Sequence, residues 1–140
     1  MQELTSFLSQ HQQLTIAAII ILVLASIVEF IRINRNRSSL SVAETTQKIN
    51  REQAVIIDTR SPDAFSKGHI VDAISIPAKD LQPNNKKLEK YRTKPIIIAC
   101  ATGADSQKIA ATLAKAGYNT YVLAGGIRAW ADATMPLVKN

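Results

Sequence analysis

Cysteine is nearly absent from this 140-residue chain: Cys100 is the only one, which excludes an intrachain disulfide and leaves nothing that demands an oxidising compartment. Histidine is almost as scarce. His11 and His69 stand alone and no Cys/His group has metal-ligand spacing, so no metal site and no organic cofactor is expected, and each histidine reads as a surface or structural residue. Aromatic residues make up only 5% of the chain and none interleaves with the basic residues, so nucleic-acid binding finds no support despite a net charge of +6. The basic excess is dispersed. Residues 39–140 carry 14 Lys and Arg against 9 Asp and Glu, gathered only at Lys86-Lys87 and at Lys90, Arg92 and Lys94. That pattern is a solvated basic face, with an anionic membrane surface as a second use. There are no internal repeats and no low-complexity segments, and the length leaves room for one globular domain.

Charge is missing altogether from residues 4–28, and residues 1–31 hold no Lys or Arg. Residues 14–33 form a stretch of 20 residues, about 30 Å as a helix, which matches a bilayer's hydrocarbon core. Glu29 lies near its end, where it can snorkel, with Arg32 one helical turn away. No basic residue precedes the apolar run, which argues against a cleaved signal peptide. No polar face is present, which argues against an interfacial helix. The run is apolar all round and outside the domain pattern, which argues against a buried core helix. No GxxxG pattern signals dimerisation within the membrane. Arg32, Arg35 and Arg37 follow the run, so the positive-inside rule predicts a single pass of the inner membrane, with the N-terminus outside and the C-terminal domain in the cytoplasm. The expected division is a tail over 1–13, a transmembrane helix over 14–33, a short polar linker over 34–40 and a folded domain over 41–138.

That domain alternates helix and strand. Ser41 and Glu44 form a capping box that starts a helix running to about residue 50. Short apolar runs at 54–58, 73–76, 95–99 and 120–123 read as strands. Helices are expected from Ser61-Pro62 to Gly68, over 85–91, over 106–116 with Gly117 as its stop, and after Gly125-Gly126. The pattern predicts an α/β fold with a parallel sheet covered on both faces, whose ligands bind beyond the carboxyl ends of the strands. Two such ends carry chemistry, Asp58-Thr59-Arg60 and Cys100.

Cys100 stands where the apolar run Ile96-Ile97-Ile98-Ala99 meets a glycine-containing turn and then a helix. A lone cysteine is often a small buried hydrophobe closing a core strand. Here, however, backbone N–H groups of the turn and the positive end of the next helix would surround the sulfur and favour thiolate, the nucleophilic form.

Asp58-Thr59-Arg60, Phe65-Ser66-Lys67-Gly68-His69-Ile70, Ala73 and Ile76-Pro77 resemble the D-x-R…F-x-x-G-H-I…A…I-P signature of rhodanese-like domains. Leu123-Ala124-Gly125-Gly126 with Trp130 resembles that family's closing L-x-G-G…W block. The resemblance implies a parallel sheet of about five strands with helices on both faces, preceded here by one transmembrane helix. It also implies sulfurtransferase chemistry: Cys100 takes sulfur from a small donor such as thiosulfate or a persulfide, holds it as a persulfide and passes it to an acceptor thiol or protein. By the same resemblance, the N–H groups of Ala101, Thr102, Gly103, Ala104, Asp105 and Ser106 cradle the sulfur, Asp58 and Arg60 brace the loop, and His69 is structural.

Two positions depart from the family pattern. Many active members carry an arginine where Asp105 stands, and an aspartate there opposes both anion binding and thiolate formation unless it faces water or caps the following helix. Asp72 replaces a frequent glycine in what reads as a turn. The residue six after Cys100 is Ser106, so the C-x₅-R loop of phosphatases is missing and their chemistry is set aside. The competing reading is a catalytically weak rhodanese-like module that docks a membrane-associated partner.

Overall fold

The computed structural model describes residue 6 and residues 11–140, with residues 34–37 as backbone alone. Most of the expected tail over 1–13 therefore lies outside the described residues. Contacts divide the chain into two units, Met1–Arg37 and Ser38–Asn140.

In the first unit, helix α1 (Gln12–Arg37) contains the stretch Gln12–Ile33, whose mean hydropathy reaches 2.8 and of which nothing is buried. It is long and apolar enough to cross a membrane. Its hydroxyls are satisfied within the helix: Thr15 Oγ1 donates to the His11 carbonyl at 3.2 Å and Ser26 Oγ to that of Leu22 at 2.8 Å. Glu29 and Arg32 form no ion pair among those described.

The second unit opens on strand β1 (Ser39–Leu40), followed by α2 (Val42–Glu52), β2 (Val55–Asp58), α3 (Pro62–Lys67), β3 (His69–Ile70) and β4 (Ile74–Ser75). Then come α4 (Lys86–Glu89), β5 (Ile96–Ala99), α5 (Ser106–Lys115), β6 (Thr120–Leu123), α6 (Gly126–Asp132) and β7 (Leu137–Val138). Five strands form one parallel sheet in the order β1-β6-β5-β2-β4. Two more, β3 and β7, pair antiparallel, with His69 opposite Val138 and Ile70 opposite Leu137.

Strand alternation sorts the core into two layers. Ile57, Ile96, Ile98 and Val122 face one way and pack with Leu88 of α4 and Ala110 and Leu113 of α5. Ile56, Ile97, Ala99 and Leu123 face the other way and pack with Ile127 and Trp130 of α6. Every residue of β5 is wholly buried. Each such aliphatic side chain contributes roughly 1.5–3 kcal/mol through burial. The capping box is present as expected: Ser41 Oγ accepts from the Glu44 N–H at 3.3 Å, while the Ser41 N–H donates to Glu44 Oε2 at 2.8 Å.

Residues 34–40, expected as a polar linker, take up regular secondary structure on both sides of Ser38. Helix α1 runs to Arg37, because nothing in Asn34-Arg35-Asn36-Arg37 breaks it. Ser39 and Leu40 then add an edge strand to β6, where the Val122 N–H donates to the Ser38 carbonyl at 2.7 Å and the Ala124 N–H to that of Leu40 at 2.8 Å. The folded unit thus begins at Ser38, ahead of the expected residue 41.

Candidate active site

β2 and β5 lie side by side and end together, Asp58 opposite Ala99. The chain beyond each end forms the site. Cys100 follows β5 directly and is 7% exposed, a free thiol at the mouth of the sheet and outside both core clusters. The next residues curl back over it. The Gly103 N–H points at the Cys100 Sγ at 2.8 Å.

Two groups of contacts hold that curl. The Ile127 N–H donates to the Cys100 carbonyl at 2.9 Å, and the Arg128 N–H to the Ala101 carbonyl at 3.2 Å. A peptide's C=O and N–H point in opposite directions, so anchoring these carbonyls on α6 turns the N–H groups of Ala101 and Thr102 the other way. Glycine makes the approach possible at two points. Gly126 has φ +62°, and a Cβ there would collide with the Cys100 carbonyl oxygen and lie 2.9 Å from the Ala101 carbonyl carbon and oxygen. Gly103 has φ +88°, and its Cβ would meet the Gly125 nitrogen at 3.1 Å. The G-G block and the cysteine loop are therefore one interlocked structure.

The surroundings set the state of the sulfur. Burial pushes the Cys100 thiol up, and this is the largest single influence. The Ser106 hydroxyl and the N–H groups of Gly103, Thr102 and Asp105 together outweigh it, and the thiol lies below its ordinary value. Of the expected cradle, then, the backbones of Thr102, Gly103 and Asp105 act on the sulfur, as does the Ser106 side chain; Ala101 and Ala104 are not among its donors. Ala101, Thr102, Ala104 and Asp105 are exposed, Gly103 is half-buried and Ser106 is buried.

Asp105 occupies the N-cap position of α5 but makes no capping hydrogen bond, because its backbone is already helical (φ −80°, ψ −22°). Its carboxylate is left in solvent beside the loop.

The side-chain hydrogen bonds of Asp58 and Arg60 among the described residues run to each other and to Gly68. Asp58 is fully buried and accepts from the Arg60 N–H at 3.0 Å, from Nε at 3.0 and 3.1 Å and from Nη2 at 2.6 Å. Arg60 Nη2 also donates to the Gly68 carbonyl at 2.7 Å, so the pair ties the end of β2 to the G-H-I block. The residue that reaches β5 is Thr59, which the sequence reading passed over. Its N–H donates to the Ala99 carbonyl at 2.8 Å and its hydroxyl to the same oxygen at 3.2 Å, one residue before the cysteine. The only sequence signal for it is its place between Asp58 and Arg60. His69 is buried and stacked on Phe65, ring centroids 3.8 Å apart, and its Nδ1–H donates to the Phe65 carbonyl at 2.9 Å. Asp72 sits in a tight turn at φ +61°, a conformation glycine adopts freely.

The arrangement suits a nucleophilic sulfur: a thiol held below its ordinary value in a loop of backbone donors, with no cationic side chain from Ala101 to Ser106. The family model of the rhodanese-like domain matches residues 41–133. Across 142 aligned positions the chain is 36% identical to Uncharacterized protein YibN of Escherichia coli K12, spanning all of this chain and 99% of that protein. Thiosulfate sulfurtransferase GlpE of Pseudoalteromonas translucida is 33% identical over 95 residues, 67% of this chain and 89% of that protein. Among solved structures, a rhodanese-related protein from Thermoplasma volcanium aligns with a TM-score of 0.65 at 27% identity, covering 73% of this chain and 98% of that one.

Proposed function

Since the chain belongs to the rhodanese-like domain family, we propose that it is a membrane-anchored sulfurtransferase whose sulfur carrier is Cys100. The observation that carries this reading is the Gly103 N–H directed at the Cys100 sulfur, in a setting that favours thiolate. In the first half-reaction the thiolate attacks the sulfane sulfur of a donor such as thiosulfate. A new S–S bond forms on Cys100, the donor's S–S bond breaks, and sulfite leaves with the electron pair. In the second, an acceptor thiolate attacks the outer sulfur and Cys100 departs as thiolate. The N–H groups around the sulfur stabilise the negative charge that both halves place there.

The anchor is α1. Its apolar span and the arginines that follow it support a single pass of the inner membrane with the folded unit in the cytoplasm, where a free thiol stays reduced. Confinement to the bilayer raises the effective concentration of the enzyme near membrane-bound donors or acceptors.

The test is intact-mass analysis of the full chain in detergent after exposure to thiosulfate or a persulfide. The wild type gains one sulfur mass and Cys100→Ser gains none. A wild type that stays unmodified with both donors removes the enzymatic reading and leaves the docking module.

A further inference from the structure

The net charge of the folded unit is unevenly placed. Of the 14 Lys and Arg and 9 Asp and Glu in residues 39–140, eight basic and three acidic residues fall between Lys79 and Lys115, which leaves six of each elsewhere. The excess gathers around α4 and the end of α5, at Lys86, Lys87, Lys90, Arg92, Lys94 and Lys115, and Glu89 is the only acid in residues 86–94. Lys94 is half-buried and the other five are exposed. Arg92 makes them one surface. Its Nη2 donates to the Ala116 carbonyl at 3.1 Å and its guanidinium lies over the Tyr118 ring, 5.1 Å from the centroid, so the turn after α4 is held against the end of α5. Among the described residues the ion pairs are Lys48 with Glu52, Arg60 with Asp58 and Arg128 with Asp132, and none takes a cation from this face. Like charges gathered without counter-charges repel one another, so the grouping does not serve the stability of the fold.

We propose that the face formed by α4 and the end of α5 docks on the anionic phospholipid headgroups of the membrane that α1 spans. This rests on the reading of α1 as an anchor. The candidate span ends at Ile33, α1 runs to Arg37 and β1 starts at Ser39. With α1 across a bilayer, the four helical residues beyond the span reach roughly 6 Å, about the depth of a headgroup layer. The folded unit is thus kept at the lipid surface, where clustered Lys and Arg are drawn to anionic headgroups. The tyrosines of this face, Tyr91 and Tyr118, are half-buried and buried, so no aromatic ring is offered to a nucleic-acid base. Docking also orients the reactive thiol. Lys90, Arg92 and Lys94 lead into the amino end of β5 and Lys115 precedes the amino end of β6, whereas Cys100 follows the carboxyl end of β5. With the basic face on the lipid, the cysteine loop stands at the opposite ends of the strands and is reached from solution.

The experiment is amine labelling of the full chain in nanodiscs of phosphatidylcholine alone or of phosphatidylcholine with phosphatidylglycerol, read lysine by lysine by mass spectrometry. Labelling of Lys86, Lys87, Lys90 and Lys115 is expected to slow by about fivefold in the anionic discs and to recover as salt is raised. Lys67 and Lys139, which flank β3 and β7, keep one rate in both lipids. The combined variant Lys86→Glu, Lys87→Glu and Lys90→Glu returns Lys115 to its rate in phosphatidylcholine, while sulfur uptake in detergent stays at the wild-type level. Equal rates for the four lysines in both lipids overturn the inference, leave the anchor reading intact and reserve the face for an acidic protein. Slowing shared by Lys67 and Lys139 overturns the assignment to this face. A chain that enters neither kind of disc overturns the anchor reading and the inference with it.

Discussion

Two neighbouring strand ends in this molecule receive opposite treatment. At the end of β2, the buried Asp58 carboxylate is surrounded by donors from Arg60, and the guanidinium is finished off by the Gly68 carbonyl. At the end of β5, one position along the same sheet, the donors are backbone N–H groups and a serine hydroxyl, and the only acceptor at the centre is a sulfur atom. The first junction is closed and its charges are paired. The second gathers its donors on a free thiol instead of a paired charge. Strand ends of a parallel sheet are where ligands collect, and the two ends differ in whether their polar groups are saturated by charge pairing.

The largest effect expected from disturbing that contrast is at the brace. Asp58→Ala leaves the Arg60 guanidinium without its buried partner and lowers unfolding stability by roughly 3–5 kcal/mol, read by denaturant titration. Cys100→Ser at the other junction costs at most about 1 kcal/mol while abolishing sulfur uptake. A small loss in Asp58→Ala would show that the two ends do not differ in the way described.

The next effect falls on the interlock between the loop and α6. Gly126→Ala drives a methyl into the Cys100 and Ala101 carbonyls, destabilising the fold by roughly 3 kcal/mol. It also slows Cys100 alkylation, because the displaced carbonyls no longer aim the loop N–H groups. Retention of wild-type alkylation kinetics would separate the G-G turn from the state of the thiol.

Asp105→Arg replaces an exposed anion beside the sulfur with a cation. Thiosulfate uptake should quicken by about tenfold, equivalent to roughly 1.4 kcal/mol, and the gain should shrink as salt is added because the position is exposed to solvent. A gain that survives high salt would point to direct contact with the donor. The smallest effect is at Asp72→Gly, where relief of the left-handed conformation is largely offset by added freedom in the unfolded chain. Stability should change by about 0.5 kcal/mol or less, with sulfur uptake untouched.

Much of this architecture was legible in the chain because it rests on local rules. The capping serines 41 and 61, the proline at the start of α3 and the apolar runs of β2, β5 and β6 each announce themselves within a few residues. The cysteine at a strand-to-helix turn announces itself in the same way. What escaped depends on partners distant in sequence. Ser39 and Leu40 have no period of their own and become a strand only because β6 offers a free edge. The β3–β7 pairing joins two-residue segments nearly seventy positions apart, His69 with Val138. Thr59 matters through one carbonyl forty residues away. Asp105 has the composition of a helix cap, but its backbone enters the helix one residue too early to make the bond.

The reactivity of Cys100 as a function of pH tests the central claim most directly. A thiol held below its ordinary value stays deprotonated as pH falls past that value and loses reactivity only at the lower pH set by its donors. Alkylation rates of the full chain in detergent, measured across pH beside an unstructured cysteine peptide, are predicted to reach half their maximum at a lower pH than the peptide's. A midpoint at or above the peptide's would mean that burial prevails over the Gly103, Thr102, Asp105 and Ser106 donors, and would contradict the account.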